Sequence, residues 1–210
     1  MPAPAESRCA NVRFVGTRGM EPVDVQSVRT IFDDYFRIVE AWLTHQRADG
    51  TSSEPMRRLS FERGDSAAAV VFDPTRASVL LTRQFRFPTL EKGPGWILEL
   101  VAGSIEVGES PEDCIRREIM EEIGYEVAVL GPIATFYASP GGSSERIHLF
   151  HASVDSCVRA GAGGGNASEQ EDIELVVVPL ADVPGLLVSG DVVDAKTIIG
   201  LSWLVRDAQG

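Results

Sequence analysis

The chain has 210 residues, a formal net charge of −12, 44% hydrophobic and 24% charged residues. That balance fits one globular domain with an extension, or with a small second domain, and a core that needs no disulfide or metal to hold it. It excludes a basic nucleic-acid surface or an anionic-membrane surface. No apolar run reaches the length of a membrane span, and the opening MPAPAESRCANVRF lacks the basic-then-apolar order of a secretory signal. Cys9, Cys114 and Cys157 are scattered and odd in number, and read as free thiols of a reducing cytoplasm.

Residues 1–25 are rich in small residues and proline and read as a poorly ordered lead. Residues 26–64 carry SVRTIFDD, YFRIVEAWLTHQ and MRRLSFERG, with the turn chemistry of RADGTSSEP before the last. They predict a small antiparallel meander with too few strands to stand alone. The main domain then runs over 65–210. SAAAVVF and ASVLLTRQFR flank the turn DPTR as a hairpin, and WILELVAGSI is one strand that feeds a glycine loop. A helix from about Ser110 to Ile123 follows. Ser110 suits the N-cap, Pro111 the first turn, Asp113 a capping-box-like pattern and Gly124 a left-handed stop. VAVLGPIATFYAS, IHLFHASVD and IELVVVPL supply strands, and RAGAGGGNASEQED reads as a mobile loop. ADVPGLLVSG holds a short helix and AKTIIGLSWLVRD a closing one. Strands mixed with helices, without regular alternation, predict an α+β fold in which helices enclose a mixed sheet.

The helix places Glu118, Glu121 and Glu122 within five residues. At about 100° per residue, Ile115, Ile119 and Ile123 form its buried stripe. Glu118 and Glu122 fall just beside that stripe and Glu121 next around, so they face a cleft rather than bulk water. Crowded carboxylates repel one another unless a cation sits among them. Arg117 can partner Glu121, but one arginine cannot neutralise three glutamates. A hard divalent metal that works on phosphate is the economical reading.

Residues 103–125 resemble the Nudix box, Gly-x5-Glu-x7-Arg-Glu-U-x-Glu-Glu-x-Gly-U, where U is bulky and apolar. The fixed positions are Gly103, Glu109, Arg117, Glu118, Glu121, Glu122 and Gly124, with Ile119 at the first U and an aromatic, Tyr125, at the last. The resemblance implies a Nudix α/β/α sandwich, and hydrolysis of a nucleoside diphosphate linked to another moiety, with Mg²⁺ or Mn²⁺. It also implies metal ligation by Glu118, Glu122 and the Ala102 carbonyl. Glu121 would be a second-line ligand or orienting group, Arg117 would orient a glutamate, and Glu109 would brace loop and helix.

FYASPGGSSERIHLF resembles a segment of the ADP-ribose and GDP-mannose pyrophosphatase branch, and GAGGGNASEQEDIELVVVPL with SGDVVDAKT is similar to the GDP-mannose enzymes. That resemblance makes Glu171 a late metal ligand that also positions the attacking water. Gly103 and Glu145 stand at the substrate, Arg86 at the diphosphate or sugar, and Lys196 at the phosphates or sugar. Tyr35, Arg57 and Arg58 stand at the base, the arginines supplied by the partner of a homodimer that exchanges its N-terminal subdomain. The GDP-mannose enzymes tend to carry an acidic residue where this chain has Leu59, and leucine cannot read the guanine edge. The substrate expected is a nucleotide sugar, GDP-mannose ahead of ADP-ribose. ADP-ribose pyrophosphatase proper is the alternative. A non-catalytic ligand sensor of the same fold is a further one, disfavoured because every box glutamate is kept.

Overall fold

The computed structural model describes residues 13–14 and 23–207. The chain divides into two compact units, Met1–Arg63 with Ser139–Ser144, and Gly64–Ala138 with Glu145–Gly210. Cys9, most of the expected N-terminal lead and the side chain of Cys157 lie outside the described residues, whereas Cys114 is a buried free thiol. Among the described residues no helix is long and apolar enough to cross a membrane.

The first unit is an antiparallel sheet in the order β1 (Arg13–Phe14), β2 (Val23–Asp33), β3 (Arg37–His45), β4 (Met56–Glu62). β2 begins at Val23, inside the stretch expected to be irregular, because Val23 and Val25 find ladder partners in His45 and Leu43 of β3. Alternation sets Glu40, Trp42, Arg57 and Leu59 on one face. There Glu40, 3% exposed, pairs with Arg29 Nε at 2.5 Å and also with Arg57 Nε. The Ser139–Ser144 segment turns on Ser139, whose carbonyl accepts from the amides of Gly142 and Ser143. Its Gly142 carbonyl accepts from Phe61 N at 2.8 Å.

The second unit is built on the strands β5 (Ser66–Asp73), β6 (Ser78–Phe85), β7 (Trp96–Glu99), β8 (Val101–Ser104), β9 (Tyr125–Tyr137), β10 (Arg146–Arg159) and β11 (Glu174–Pro179). The sheet runs β11-β6-β5-β10-β9, with β7 on β6 and β8 on β5; β5–β10 is the parallel pair. After Ser66, the run AAAVV of β5 is apolar at every position because both faces of the strand are covered. Ala67, Ala69 and Val71 pack with Cys114, Ile115, Ile119 and Ile123. Ala68 and Val70 pack on the other side with Val183, Leu201 and Leu204. The covering helices are α1 (Pro111–Glu118), α2 (Val183–Ser189) and α3 (Ala195–Asp207). This is the α+β sandwich with a mixed sheet that the element order predicts.

WILELVAGSI is two strands rather than one. Leu100 leaves the ladder because its N–H donates to Thr197 Oγ1 at 2.9 Å on α3. The chain crosses there from the neighbour β6 to the neighbour β5, which sets Glu99 and Ala102 on successive strands. α3 approaches the sheet so closely that a Cβ on Gly200 would lie 2.7 Å from a Leu100 methyl and 2.8 Å from a Val70 methyl. Alanine normally raises helix stability by about 1 kcal/mol over glycine. Here both neighbours are buried, and overpacking a filled core costs about 1–3 kcal/mol. Gly200→Ala is therefore expected to destabilise the fold by up to about 2 kcal/mol, measured by urea unfolding; a gain in stability would contradict the close approach.

Candidate active site

The glutamates are carried by a helix whose start is set locally. Ser110 Oγ accepts from Asp113 N at 3.1 Å, and Pro111 occupies the first turn. The helix does not stay α to Ile123 as the sequence implies. Over Ile119–Ile123 it widens into a π-helical turn, where Gly124 N donates to both Ile119 O (3.1 Å) and Met120 O (3.0 Å). Such turns concentrate at functional sites; here the turn buries Ile119, Glu122 and Ile123. Gly124 closes the turn at φ 77°, and Ile115, Ile119 and Ile123 are fully buried. Glu122 lies deeper than the edge position expected, at 2% exposure.

Gly103 has a steric reason. A Cβ there would lie 1.7 Å from Glu118 Oε1, so only glycine lets that carboxylate rest against β8. Ala102 is the neighbouring residue of β8, paired across to Ala68.

Arg117 gathers the cluster. Its Nε and Nη2 clasp Glu109 at 2.9 and 3.1 Å, and its Nη1 reaches Glu118 at 2.7 Å and Glu121 at 3.2 Å. Glu109 also accepts from Glu106 N at 3.0 Å, which ties the loop to the helix. The Arg117 guanidinium holds the Glu109 carboxyl down at about 2, and the glutamates in turn hold Arg117 firmly charged. Burial lifts the Cys114 thiol to about 12, so it is inert.

Glu118 and Glu122 behave in the opposite way to Glu109. Burial pushes Glu118 up to about 7, against the pull of Arg117 and with a push from the charges of Glu121 and Glu171. Glu122 is raised well above the ordinary carboxylate range, first by burial and then by Glu118 and Glu171. Its Oε2 is buried without a hydrogen-bond partner. A charged group so placed needs a compensating cation, and these oxygen donors suit a hard divalent ion. Among the described residues no three acidic, histidine or cysteine groups enclose an ion unaided. Mg²⁺ sites are usually of that open kind, with few carboxylates and the remaining places left to other oxygens.

Two further groups converge on this cluster. The glycine-rich loop after β10, expected to be mobile, is tied to the helix end. Ala160 N and Gly161 N donate to Gly124 O, Gly164 N to Glu122 O, and Gly165 N to Glu121 O. The loop carries Glu171, whose Oε2 accepts from Asn166 N at 2.9 Å. A Cβ on Gly165, at φ 87°, would strike Glu171. On another side Glu99, 4% exposed, holds Arg86 Nε at 2.7 Å through one oxygen and Lys196 Nζ at 2.5 Å through the other. Lys196 also meets Asp194 at 3.1 Å. Arg86 and Glu99 stand close enough for their charges to act on Glu122.

Comparison with known proteins agrees with this geometry. Residues 62–198 match the NUDIX domain. The chain belongs to the Nudix family. Among its relatives, the GDP-mannose pyrophosphatase of Pectobacterium atrosepticum is 36% identical over 186 residues, covering 88% of this chain and 94% of that one. The ADP-ribose pyrophosphatase of Escherichia coli K12 is 37% identical over 189 residues, covering 90% of each. A crystal structure described as an ADP compounds hydrolase shares the fold at TM-score 0.68 and 20% identity, over 92% of this chain and 99% of that one.

Within the Nudix unit, Glu118, Glu121, Glu122, Arg117 and Glu109 form one cluster, and Glu171 acts on it electrostatically. Arg86 and Lys196 meet on Glu99. Glu145 accepts from Ser66 Oγ at 2.8 Å. Tyr35, 87% exposed, and Arg57 and Arg58 belong to the other unit, and the two arginines occupy opposite sheet faces because neighbours on a strand alternate. Sequence reasoning missed Glu99. Its signal was a lone acid in the apolar strand WILEL, since a buried charge must have partners.

Two measurements follow. Glu122→Gln removes a desolvated charge, so the metal-free protein is expected to melt about 2–4 °C higher. The rise in Tm that Mg²⁺ produces in the parent should be lost; an undiminished Mg²⁺ response would remove Glu122 from the metal site. The second concerns acid. A carboxylate held near 2 instead of 4.5 stabilises the fold above pH 4.5 and loses that contribution as pH falls through 2. Glu109→Gln should flatten the loss of stability over that window, read from unfolding midpoints against pH; an unchanged acid limb would contradict the pairing.

Proposed function

We propose that the chain hydrolyses the diphosphate of a nucleoside diphosphate sugar to a nucleoside monophosphate and a sugar phosphate, with Mg²⁺ or Mn²⁺ as the resident metal. The carrying observation is the pair Glu118–Glu122, one carboxylate half-buried and one fully buried with an oxygen that has no partner, beside the cations Arg86 and Lys196. The relatives named for GDP-mannose and ADP-ribose pyrophosphatase activity support the substrate class.

Glu118, Glu122, Glu171 and the Ala102 carbonyl would hold the metal, which when bound neutralises phosphoryl charge and lowers the pKa of water. Arg117 fixes Glu118 and Glu121 in orientation. Arg86 and Lys196 take the diphosphate oxygens, and Gly103 and Glu145 line the substrate. Glu171, fixed by the glycine loop, orients the water and accepts its proton. One P–O bridge bond breaks, one P–O bond forms to the water oxygen, and two protons are released as both phosphates become monoesters.

We further assign the N-terminal sheet to a homodimer. Among its described residues no apolar side chain is fully buried, while Phe32, Trp42 and Leu59 are exposed by 53, 42 and 45%. A second copy that exchanges this subdomain would cover them, and would supply Arg57 and Arg58, with Tyr35, at the base of the substrate. The free thiol Cys114 suits a cytoplasmic setting. As to the base, the tail of the sequence favours GDP-mannose, whereas Leu59, which has no polar group to read guanine, favours ADP-ribose.

GDP-mannose, ADP-ribose, UDP-glucose and NADH, each with Mg²⁺, form the deciding panel, with released phosphate read after phosphatase coupling. Turnover of GDP-mannose or ADP-ribose is expected, lost on chelation and restored by Mg²⁺. Absence of turnover on all four would overturn the proposal.

A further inference from the structure

Glu99 ends β7, and no box position accounts for it. It is an acid with 4% exposure whose strand neighbours Ile97 and Leu98 are buried apolar residues. A carboxylate in such a place is retained only if its charge is fully used. Both oxygens are used. Oε2 takes Arg86 Nε at 2.7 Å and Oε1 takes Lys196 Nζ at 2.5 Å. The two cations come from distant parts of the chain, the end of β6 and the first turn of α3, and meet on this one group.

The group itself is fixed. Glu99 pairs across the ladder with Thr82, and Thr82 Oγ1 donates to the Glu99 carbonyl at 3.4 Å. The next amide, Leu100 N, is held by Thr197 Oγ1. Thr197 is fully buried and is bonded in turn to Asp194, which also meets Lys196. The run Asp194-Ala195-Lys196-Thr197 therefore acts as one device that seats α3 and delivers its lysine to Glu99.

The charges have an alternative resting place. Arg86 is 40% exposed on a long stem, and Glu122 presents a buried oxygen without a partner within range of its charge. Without Glu99, Arg86 or Lys196 is free to collapse onto the metal-binding carboxylates. With it, two cations stand side by side at a set spacing, Lys196 steadied also by Asp194, where an anion can meet both.

We propose that Glu99 is a positioning residue for catalysis: it holds Arg86 and Lys196 as a preorganised pair that receives the two phosphoryl groups of the substrate. The inference rests on the nucleotide-sugar reading above. Preorganised charge acts on the transition state more than on the ground state. Removing the carboxylate leaves more net positive charge for an anion, and so does not weaken ground-state binding. It loosens the geometry on which the chemical step depends.

The signature is a split between kcat and KM that a merely structural role does not produce. In Glu99→Gln, kcat is expected to fall about ten-fold or more, with KM unchanged or lower. Binding of GDP and ADP, titrated by calorimetry, should be as tight as in the parent or tighter, and the Mg²⁺-induced rise in Tm should persist. Should Glu99→Gln fail to fold, Glu99→Asp, which keeps the charge on a shorter stem, is expected to show the same fall in kcat without a rise in KM. An undiminished kcat, or weaker GDP and ADP binding at equal Tm, would overturn the proposal. If the parent turns over no member of the substrate panel, the functional reading fails by itself. The GDP and ADP titrations then still decide whether Glu99 governs the cation pair, with weaker binding in the variant refuting it.

Discussion

Desolvation of two carboxylates, Glu122 fully and Glu118 in part, at the seam between α1 and the sheet is the constraint on which the rest of this site depends. The isoleucine stripe drives the helix face into the core, and the π-helical turn carries Glu122 in with it. Desolvated charge of one sign is unfavourable, so its surroundings are arranged around it. Gly103 vacates the space that Glu118 fills. Arg117 restrains Glu118 and Glu121 but leaves Glu122 untouched. The amides of Gly164 and Gly165 take the last carbonyls of the helix and bring Glu171 to the same place.

The same electrostatic logic answers how a protein of net charge −12 handles an anion. Positive charge is concentrated locally and pinned by a buried acid. Glu99 does this with Arg86 and Lys196 in the Nudix unit. Glu40 does it with Arg29 and Arg57 in the N-terminal sheet. In both cases one buried carboxylate serves two cations, and in the Nudix unit Asp194 meets Lys196 as well. Such paired charges are worth little as stabilisers when exposed; their value lies in setting where the cations stand.

Much of this was legible in the residue pattern. The apolar stripe, the caps at Ser110 and Gly124, and the box spacing depend on neighbours within a turn or two, and local rules read them well. The hairpin at DPTR was equally plain. The division of WILELVAGSI at Leu100 was not, because the cause is a hydroxyl of Thr197, almost a hundred residues away in sequence. The widening at Ile119 was also hidden, since the loop amides that bond Glu121 and Glu122 come from residues 164 and 165. Composition cast that loop as mobile because glycine lowers the barrier to motion. Here several of its glycines serve positive φ angles and close approach instead.

By itself the sequence determined the fold class, the crowding of glutamates on one helix and the family, because each is written in residue type and short-range period. The tertiary structure alone decided how deeply Glu122 is buried, which acid Arg86 and Lys196 share, and why Gly103 has no side chain. Those properties are set by long-range packing, where two groups remote in the chain contend for one volume or one charge. Residue spacing along the chain carries no record of such encounters.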